Sequence, residues 1–585
     1  TLHKPLAPLP AEVSGALTLD DSILVVGEEN ALEIKALNGA LRFNGAGLFA
    51  EDISGQLLGL DARFAVDTVV ENGISVTNIS AAGQITDKAV AALIPVPLFS
   101  YLSGASPWQA TVSFPLAAAG EQPGGSLVIW SDLRGMAIAL PPPLFKSPDE
   151  PLELTIKTRL PRSLDAPLQL QLGTLLSGVF DMDPQLRLER GEILFGEEAP
   201  RLPPHRGLRL RGFLDQFSYD AWQPYVAAWG DDGKALLRSL DLRLGSLEVV
   251  GRDFHEVRLK GALEDEVWSF DADSKELQGY IEYPLQEDLP IIMELAYLHV
   301  TPGGESEEPA DPHQLPALII HSKQFSYDGT DFGRLELRAS KHPAGMRFDN
   351  LMLTSEYINL RIHGDWLVVG DGGQKSIFNV AFDSKDLGKA LTLLGYEDNI
   401  KRGRAHMELV GQWAGAPAAF SPERVKGTLS MQIKDGRLLE VEPGAGRIFG
   451  LVSLQALPRR LSLDFSDIFD KGFSFDKISG TFAIRDGNAI TRDLTMEGPA
   501  ATVSAKGRIG LAARDYDQIV TVVPHVTSGL PVAGAVAGGL GVGAVILLAE
   551  QMFKEEIAKM TRVKYRVTGS WENPEVERLQ DEKGR

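Results

Sequence analysis

The residues best suited to chemistry in this 585-residue chain are ten histidines, and their spacing gives them little to do. His255-Glu256 comes nearest to a zinc-protease motif, but no second His follows at the spacing that puts two imidazoles on one helix face. There is no Cys, which removes thiolate metal sites, disulfides and cysteine nucleophiles together. No Gly-x-Ser-x-Gly elbow supplies an activated serine. Gly370-Asp371-Gly372-Gly373-Gln374-Lys375-Ser376 looks like a phosphate loop, but Lys does not directly follow the closing Gly and no helical pattern begins there, so it reads as a hairpin turn. Gly539-Leu540-Gly541-Val542-Gly543-Ala544 partly matches a dinucleotide fingerprint, yet no strand precedes it and the βαβ context is missing. The acidic pairs Asp20-Asp21 and Asp231-Asp232 are adjacent, so on a strand they face opposite sides. Glycosidase carboxylates must face each other across about 5–9.5 Å. The expectation is no catalytic residue, no metal ligand and no cofactor.

The surrounding elements explain this. Before position 510, apolar and polar residues alternate with period two over short runs, the mark of strands with one apolar and one polar face. Leu152 to Leu160, Leu168 to Leu172, Leu335 to Arg338 and Thr428 to Ile433 are examples. Asn44-Gly45, Asn72-Gly73, Asp328-Gly329, Asp435-Gly436 and Asp486-Gly487 are hairpin signals, since these pairs tolerate the positive φ of tight turns. Helical pattern is confined to Ser218–Trp229, Leu387–Tyr396 and Leu547–Met560, too little for an alternating βα fold. The spacing therefore predicts a mainly β protein built on an antiparallel sheet of many strands. Gly 59 and Pro 35 exceed the usual combined share of about 12%, as a turn-rich chain would.

Length alone suggests roughly three to six domains, at about 100–200 residues each. The pattern argues otherwise, because alternation resumes unchanged after the turn-rich stretches near 141–151, 197–206, 301–316 and 414–424. We expect residues 1–510 to form one continuous, elongated and curled sheet, 511–562 an apolar Gly/Ala-rich and helical segment, and 563–585 a terminal strand and tail. With about 35 strands stacked at about 4.8 Å, such a body is on the order of 150 Å long. Its apolar face must be hidden, and an open trough can hide it beneath an apolar guest such as acyl chains. Sample lining positions are Leu154, Ile156, Leu168, Leu170, Leu208, Leu210, Leu259, Leu337, Ile362, Met431 and Ile433.

Residues Gln518 to Ala549 carry no Asp, Glu, Lys or Arg, but Pro524, Pro531 and many Gly and Ala make them a marginal spanning segment. The helical run that follows puts Leu548, Met552, Phe553, Ile557 and Met560 on one face, which could cap the sheet, pack in a core or lie on a membrane. Gly364-Asp365-Trp366, Gly411-Gln412-Trp413 and Gly569-Ser570-Trp571 recur at strand ends, where a Gly lets a strand bend and Trp366, Trp413 and Trp571 serve as structural covers. A net charge of -22 disfavours nucleic acid as a partner. The chain begins Thr1-Leu2-His3 without Met or a leader pattern, so it reads as a fragment or mature form.

The run Leu461-Ser462-Leu463-Asp464-Phe465-Ser466-Asp467-Ile468-Phe469, with Gly472 to Gly480, Gly487-Asn488-Ala489, Gly498-Pro499-Ala500-Ala501 and Tyr565-Arg566-Val567-Thr568-Gly569-Ser570-Trp571-Glu572-Asn573-Pro574, resembles the AsmA-like superfamily, in its YhdP branch. The likeness is specific over about the last 170 residues and diffuse upstream. It implies a Gram-negative envelope protein: a periplasmic β-groove, anchored in the inner membrane by a helix outside this sequence, that moves phospholipid toward the outer membrane. It implies phospholipid and an outer-membrane partner near the C-terminal end, and no enzymatic motif. Two other readings stand beside it: a periplasmic scaffold or assembly chaperone for outer-membrane components, and an enzyme acting on envelope glycans.

Overall fold

The computed structural model describes residues 14–26, 32–57, 59–93, 97–115, 124–160, 166–183, 187–228, 236–301, 311–370, 372–396, 399–439, 473–499, 501–525 and 562–579. The chain divides into two compact units, Thr1–Lys275 and Glu276–Arg585. Among the described residues there are 31 strands and three short α-helices.

The first unit contains β1 (Gly15–Val26), β2 (Leu32–Asn44), β3 (Gly47–Leu57), β4 (Leu60–Glu71), β5 (Ile74–Thr86), β6 (Leu102–Pro115), β7 (Gly125–Ser131), β8 (Met136–Ile138), β9 (Leu154–Leu160), β10 (Leu168–Leu172), β11 (Leu176–Met182), β12 (Leu188–Phe195), β13 (Gly207–Ser218), β14 (Leu237–Val249), β15 (Arg252–Glu264) and β16 (Val267–Asp273). Each pairs with the next, except that β7 pairs with β9 while the short β8 pairs with the free half of β6. Helix α1 (Asp87–Leu93) and a 3-10 turn (Pro97–Tyr101) join β5 to β6, and helix α2 (Tyr219–Ala228) follows β13.

The second unit contains β17 (Leu277–Pro284), β18 (Ile291–Val300), β19 (Leu318–Tyr327), β20 (Thr330–His342), β21 (Gly345–Thr354), β22 (Asn359–Val369), β23 (Gly373–Ser384), β24 (Ile400–Ala414), β25 (Lys426–Leu438), β26 (Phe473–Arg485), β27 (Asn488–Glu497), β28 (Ala501–Gly510), β29 (Asp515–Pro524), β30 (Val563–Ser570) and β31 (Pro574–Leu579), paired in chain order. Helix α3 (Leu387–Leu393) lies between β23 and β24.

Most pairings are antiparallel, as the hairpin signals predict, but parallel pairs occur among the described residues: β12 with β13, β13 with β14, and β18 with β19. A parallel neighbour needs a connection that returns to the starting rim. Residues 196–206 and α2 are two such returns. The turns at Asn72-Gly73, Asp328-Gly329 and Asp486-Gly487 have positive φ at both residues, the conformation of tight hairpins. Asp435-Gly436 is different. It lies inside β25, where Asp435 has φ 58° and Gly436 sits under the Phe475 ring, so a dipeptide that reads as a turn belongs to a through-going strand whose register stays unshifted against both neighbours. Strand β29 also carries the sheet past residue 510 into the stretch expected to be Gly/Ala-rich and helical. Of the three helical patterns, 218–229 and 387–396 contain α2 and α3; 547–560 lies outside the described residues, while α1 has no counterpart among them.

Candidate functional site, the apolar face of each unit

Residues directly opposite one another in paired strands point to the same side of a sheet, so register traces a face without further assumption. In the first unit one row runs Ile53, Phe64, Ala81, Ala110, Ile129, Ile156, Leu170, Gly178, Ile193, Leu210, Leu240, Gly261, Phe270, from β3 to β16. Every member is apolar or Gly. A row on the opposite side of β9 to β16 reads Thr155, Gln171, Ser177, Leu194, Arg211, Asp241, Lys260, Asp271. The two glycines of the apolar row are filled by neighbouring rings: a Cβ on Gly178 would come 2.6 Å from the Phe180 ring, and one on Gly261 2.5 Å from Phe270.

The second unit repeats the arrangement. Its row runs Ile281, Met293, Ile320, Leu337, Leu351, Ile362, Val380, Leu409, Leu429, Phe482, Thr491, Gly507, Gln518, Val567, Val576, crossing β17 to β31. The other side carries Glu294, His321, Glu336, Met352, Arg361, Ala381 and Glu408 along the same strands.

Burial differs along these rows. Ile156, Leu170, Ile193 and Leu210 are only half-buried, and so are Met293, Leu337, Ile362, Leu409 and Leu429. From β26 onward the second row is closed: Phe482 and Val567 have no exposed surface, within a core that includes Ile433, Phe475, Ile478, Leu494, Ile509 and Val520. A half-buried apolar side chain still has surface that a guest could cover. Each methylene moved from water onto such a face is worth about 0.8 kcal/mol, without directional constraint.

At one rim of the first unit, two connections meet. The Trp222 indole Nε1 of α2 donates to the Pro142 carbonyl (2.8 Å), Tyr225 packs edge-on against Tyr101 (centroids 4.7 Å apart), and Trp222 stacks on Phe217. Phe217 in turn packs on the apolar-face cluster of Leu214, Leu242, Leu244 and Val257. Behind this contact, Lys146 is buried and donates to the carbonyls of Leu133, Met136 and Ser147 at 2.8–2.9 Å; loss of hydration holds its ammonium below the usual lysine pKa.

Polar groups are concentrated on the opposite faces as cross-strand pairs. His406 Nδ1 lies 2.7 Å from Asp383 and Nε2 3.3 Å from Glu408, and the Asp383 hydrogen bond holds the imidazole above its usual pKa. Glu192, on the polar side of β12, is fully buried; Arg209 and Arg211 pair with it, and the Arg201 N–H donates to it (3.0 Å). That contact fastens the 196–206 return across the polar face. Among the described residues no group of three or more His, Asp and Glu is placed to hold a metal ion, and no helix is long and apolar enough to cross a membrane.

The family model for the YhdP protein matches residues 2–576. The chain belongs to the YhdP family. It is 22% identical over 597 residues to a protein of Escherichia coli (strain K12) named intermembrane phospholipid transporter YhdP, a match covering 97% of this chain and 46% of that protein. The chain thus spans about half the length of the curated relative it matches. No solved structure matches it.

Each sequence-derived lining position falls on the apolar face of its unit. Leu154 is opposite Leu172, Leu168 opposite Phe180, Leu208 opposite Gly191 and Leu259 opposite Leu242, all in phase with the Ile156–Leu170–Leu210 row. Leu337 and Ile362 lie in the second row; Met431 and Ile433 share its phase but are buried in the closed core. Leu548, Met552, Phe553, Ile557 and Met560 lie outside the described residues. Trp366, Trp413 and Trp571 pack at strand ends, donating Nε1 to the Gln374 side chain, the Ala416 carbonyl and the Asp515 carbonyl. Sequence reasoning missed the rim contact of α2 and the buried Glu192, neither of which has a local signal.

Proposed function

We propose that this chain carries phospholipid between the inner and outer membranes of a Gram-negative envelope, holding acyl tails against the apolar faces of its two units while headgroups stay in water. One observation carries the reading: in each unit a row of apolar side chains crosses strand after strand in register, and over long stretches those side chains are half-buried. The name of the Escherichia coli relative supports it. Residues 1–510 supply most of the groove, with Leu154, Ile156, Leu168, Leu170, Leu208, Leu210, Leu259, Leu337 and Ile362 among its lining. A periplasmic location, inner-membrane attachment, and delivery to the outer membrane or one of its proteins near the C-terminal end belong to the same proposal. Catalysis has no part in it. Mass spectrometry of the purified protein should find copurifying phospholipid, and Leu210→Glu or Leu337→Glu should reduce it several-fold. Protein that is consistently lipid-free would sink the reading.

A second reading, a scaffold or assembly chaperone that binds polypeptide along strand edges, draws on β1. Among the described residues this strand pairs on one side alone and exposes Leu17, Ile23, Leu24 and Val25. The same two substitutions separate the readings, because a charge on the sheet face leaves an edge intact.

A further inference from the structure

We infer that the acyl-accessible surface of the second unit stops at β25, where α3 and the closed core of β26 to β30 form an end wall. The inference rests on the transport reading, and it limits where tails can go. Along a single register row, Leu337, Ile362, Leu409 and Leu429 are half-buried, whereas Phe482, directly opposite Leu429 on the next strand, has no exposed surface. Past Phe482 the row also turns polar, at Thr491 and Gln518. An alkyl chain can satisfy neither group's hydrogen bonding, so the far side would be a poor seat even if it were opened.

Helix α3 is built into the start of this wall. Asp386 caps it by accepting from the Lys389 N–H (3.2 Å), and it buries Leu387 and Leu391 in the same core as Ile400, Ile433, Leu438 and Phe475. It lies so close to β24 that a Cβ on Gly388 would come 2.2 Å from the Ile400 carbonyl oxygen. Only glycine permits that approach. Larger side chains there must push the helix off the sheet, and Ile433, which has the phase of a lining residue and flanks Gly403 together with Leu387 of α3, would then be uncovered.

The test uses the full chain, with the photoreactive residue p-benzoylphenylalanine placed singly at Leu337, Ile362, Leu409, Phe482 or Ile433. The protein is incubated with phosphatidylethanolamine–phosphatidylglycerol vesicles, irradiated, and weighed intact. Lipid adducts at Leu337, Ile362 and Leu409 should exceed those at Phe482 by about ten-fold; comparable adducts at Phe482 would overturn the wall. The replacement at Phe482 adds a benzoyl group to a buried ring, so its adduct yield is read only where circular dichroism matches the native fold. Gly388→Leu should raise the Ile433 adduct several-fold while leaving Leu337 unchanged, and no rise would remove α3 from the wall. Absence of adducts at every position would defeat the transport reading and this inference with it, whereas adducts at all positions would defeat the wall alone.

Discussion

Glu192 has no exposed surface, and its ion-pair partners Arg209 and Arg211 are only partly buried. Removing one member of such a cluster leaves the others without compensation, which typically costs about 3–5 kcal/mol when both partners are buried and somewhat less when water reaches one of them. Glu192→Ala should therefore lower the stability of the first unit by roughly 2–4 kcal/mol, read as an earlier urea midpoint. A change below half a kcal/mol would show that the 196–206 return is held by other contacts. In sequence, Leu188-Glu189-Arg190-Gly191-Glu192 looks like solvent-facing alternation. Phase alone places Glu192 on the polar face correctly, but its burial comes from a connection lying across it, and no local pattern encodes that. The glycines beneath Phe180 and Phe270 are hidden in the same way, because the ring that fills each gap arrives by packing as well as by pairing.

Among elements, the strands were the most legible, since a period of two fixes which side chains share a face and a slip of one residue would invert all of them. Each lining position from Leu154 to Ile433 consequently lies on the apolar side. Neighbour choice was less legible: nothing in β12 or β18 distinguishes a strand that will take a parallel partner, because that depends on where the connection returns. Helix α2 is such a return, and its Trp222 joins three things at once: the Phe217 stack, Tyr225, and the Pro142 carbonyl. Trp222→Ala should cost about 3–5 kcal/mol through the cavity and the lost hydrogen bond. Its diagnostic effect is local. Amide hydrogen exchange in 97–101 and 132–151 should accelerate together, and if those segments keep their protection, the rim contact is not what orders them.

At the scale of the molecule, the expectation of many strands with one apolar face is met in each unit, while the division at Lys275 and Glu276 left no trace in a pattern that alternates on both sides of it. Closure of the last strands was equally invisible, because Ile433 and Ile478 alternate just as Leu208 and Leu210 do. What separates them is whether something lies on top. The register rows have one more implication, for how such a protein can change size. Among the described residues each strand from β18 to β30 pairs only with its two chain neighbours, so a hairpin there is a removable rung pair: deleting Thr330–Thr354 takes out β20 and β21 and leaves β19 facing β22 in the antiparallel sense, with Ile320 opposite Ile362. The shortened protein should fold, measured by an unchanged β-sheet circular dichroism band, and its second unit should lose two strand spacings, roughly 10 Å. Reach is thereby adjustable in steps of two strands without redesign of any surviving contact, whereas removing a single strand would reverse the direction of everything after it.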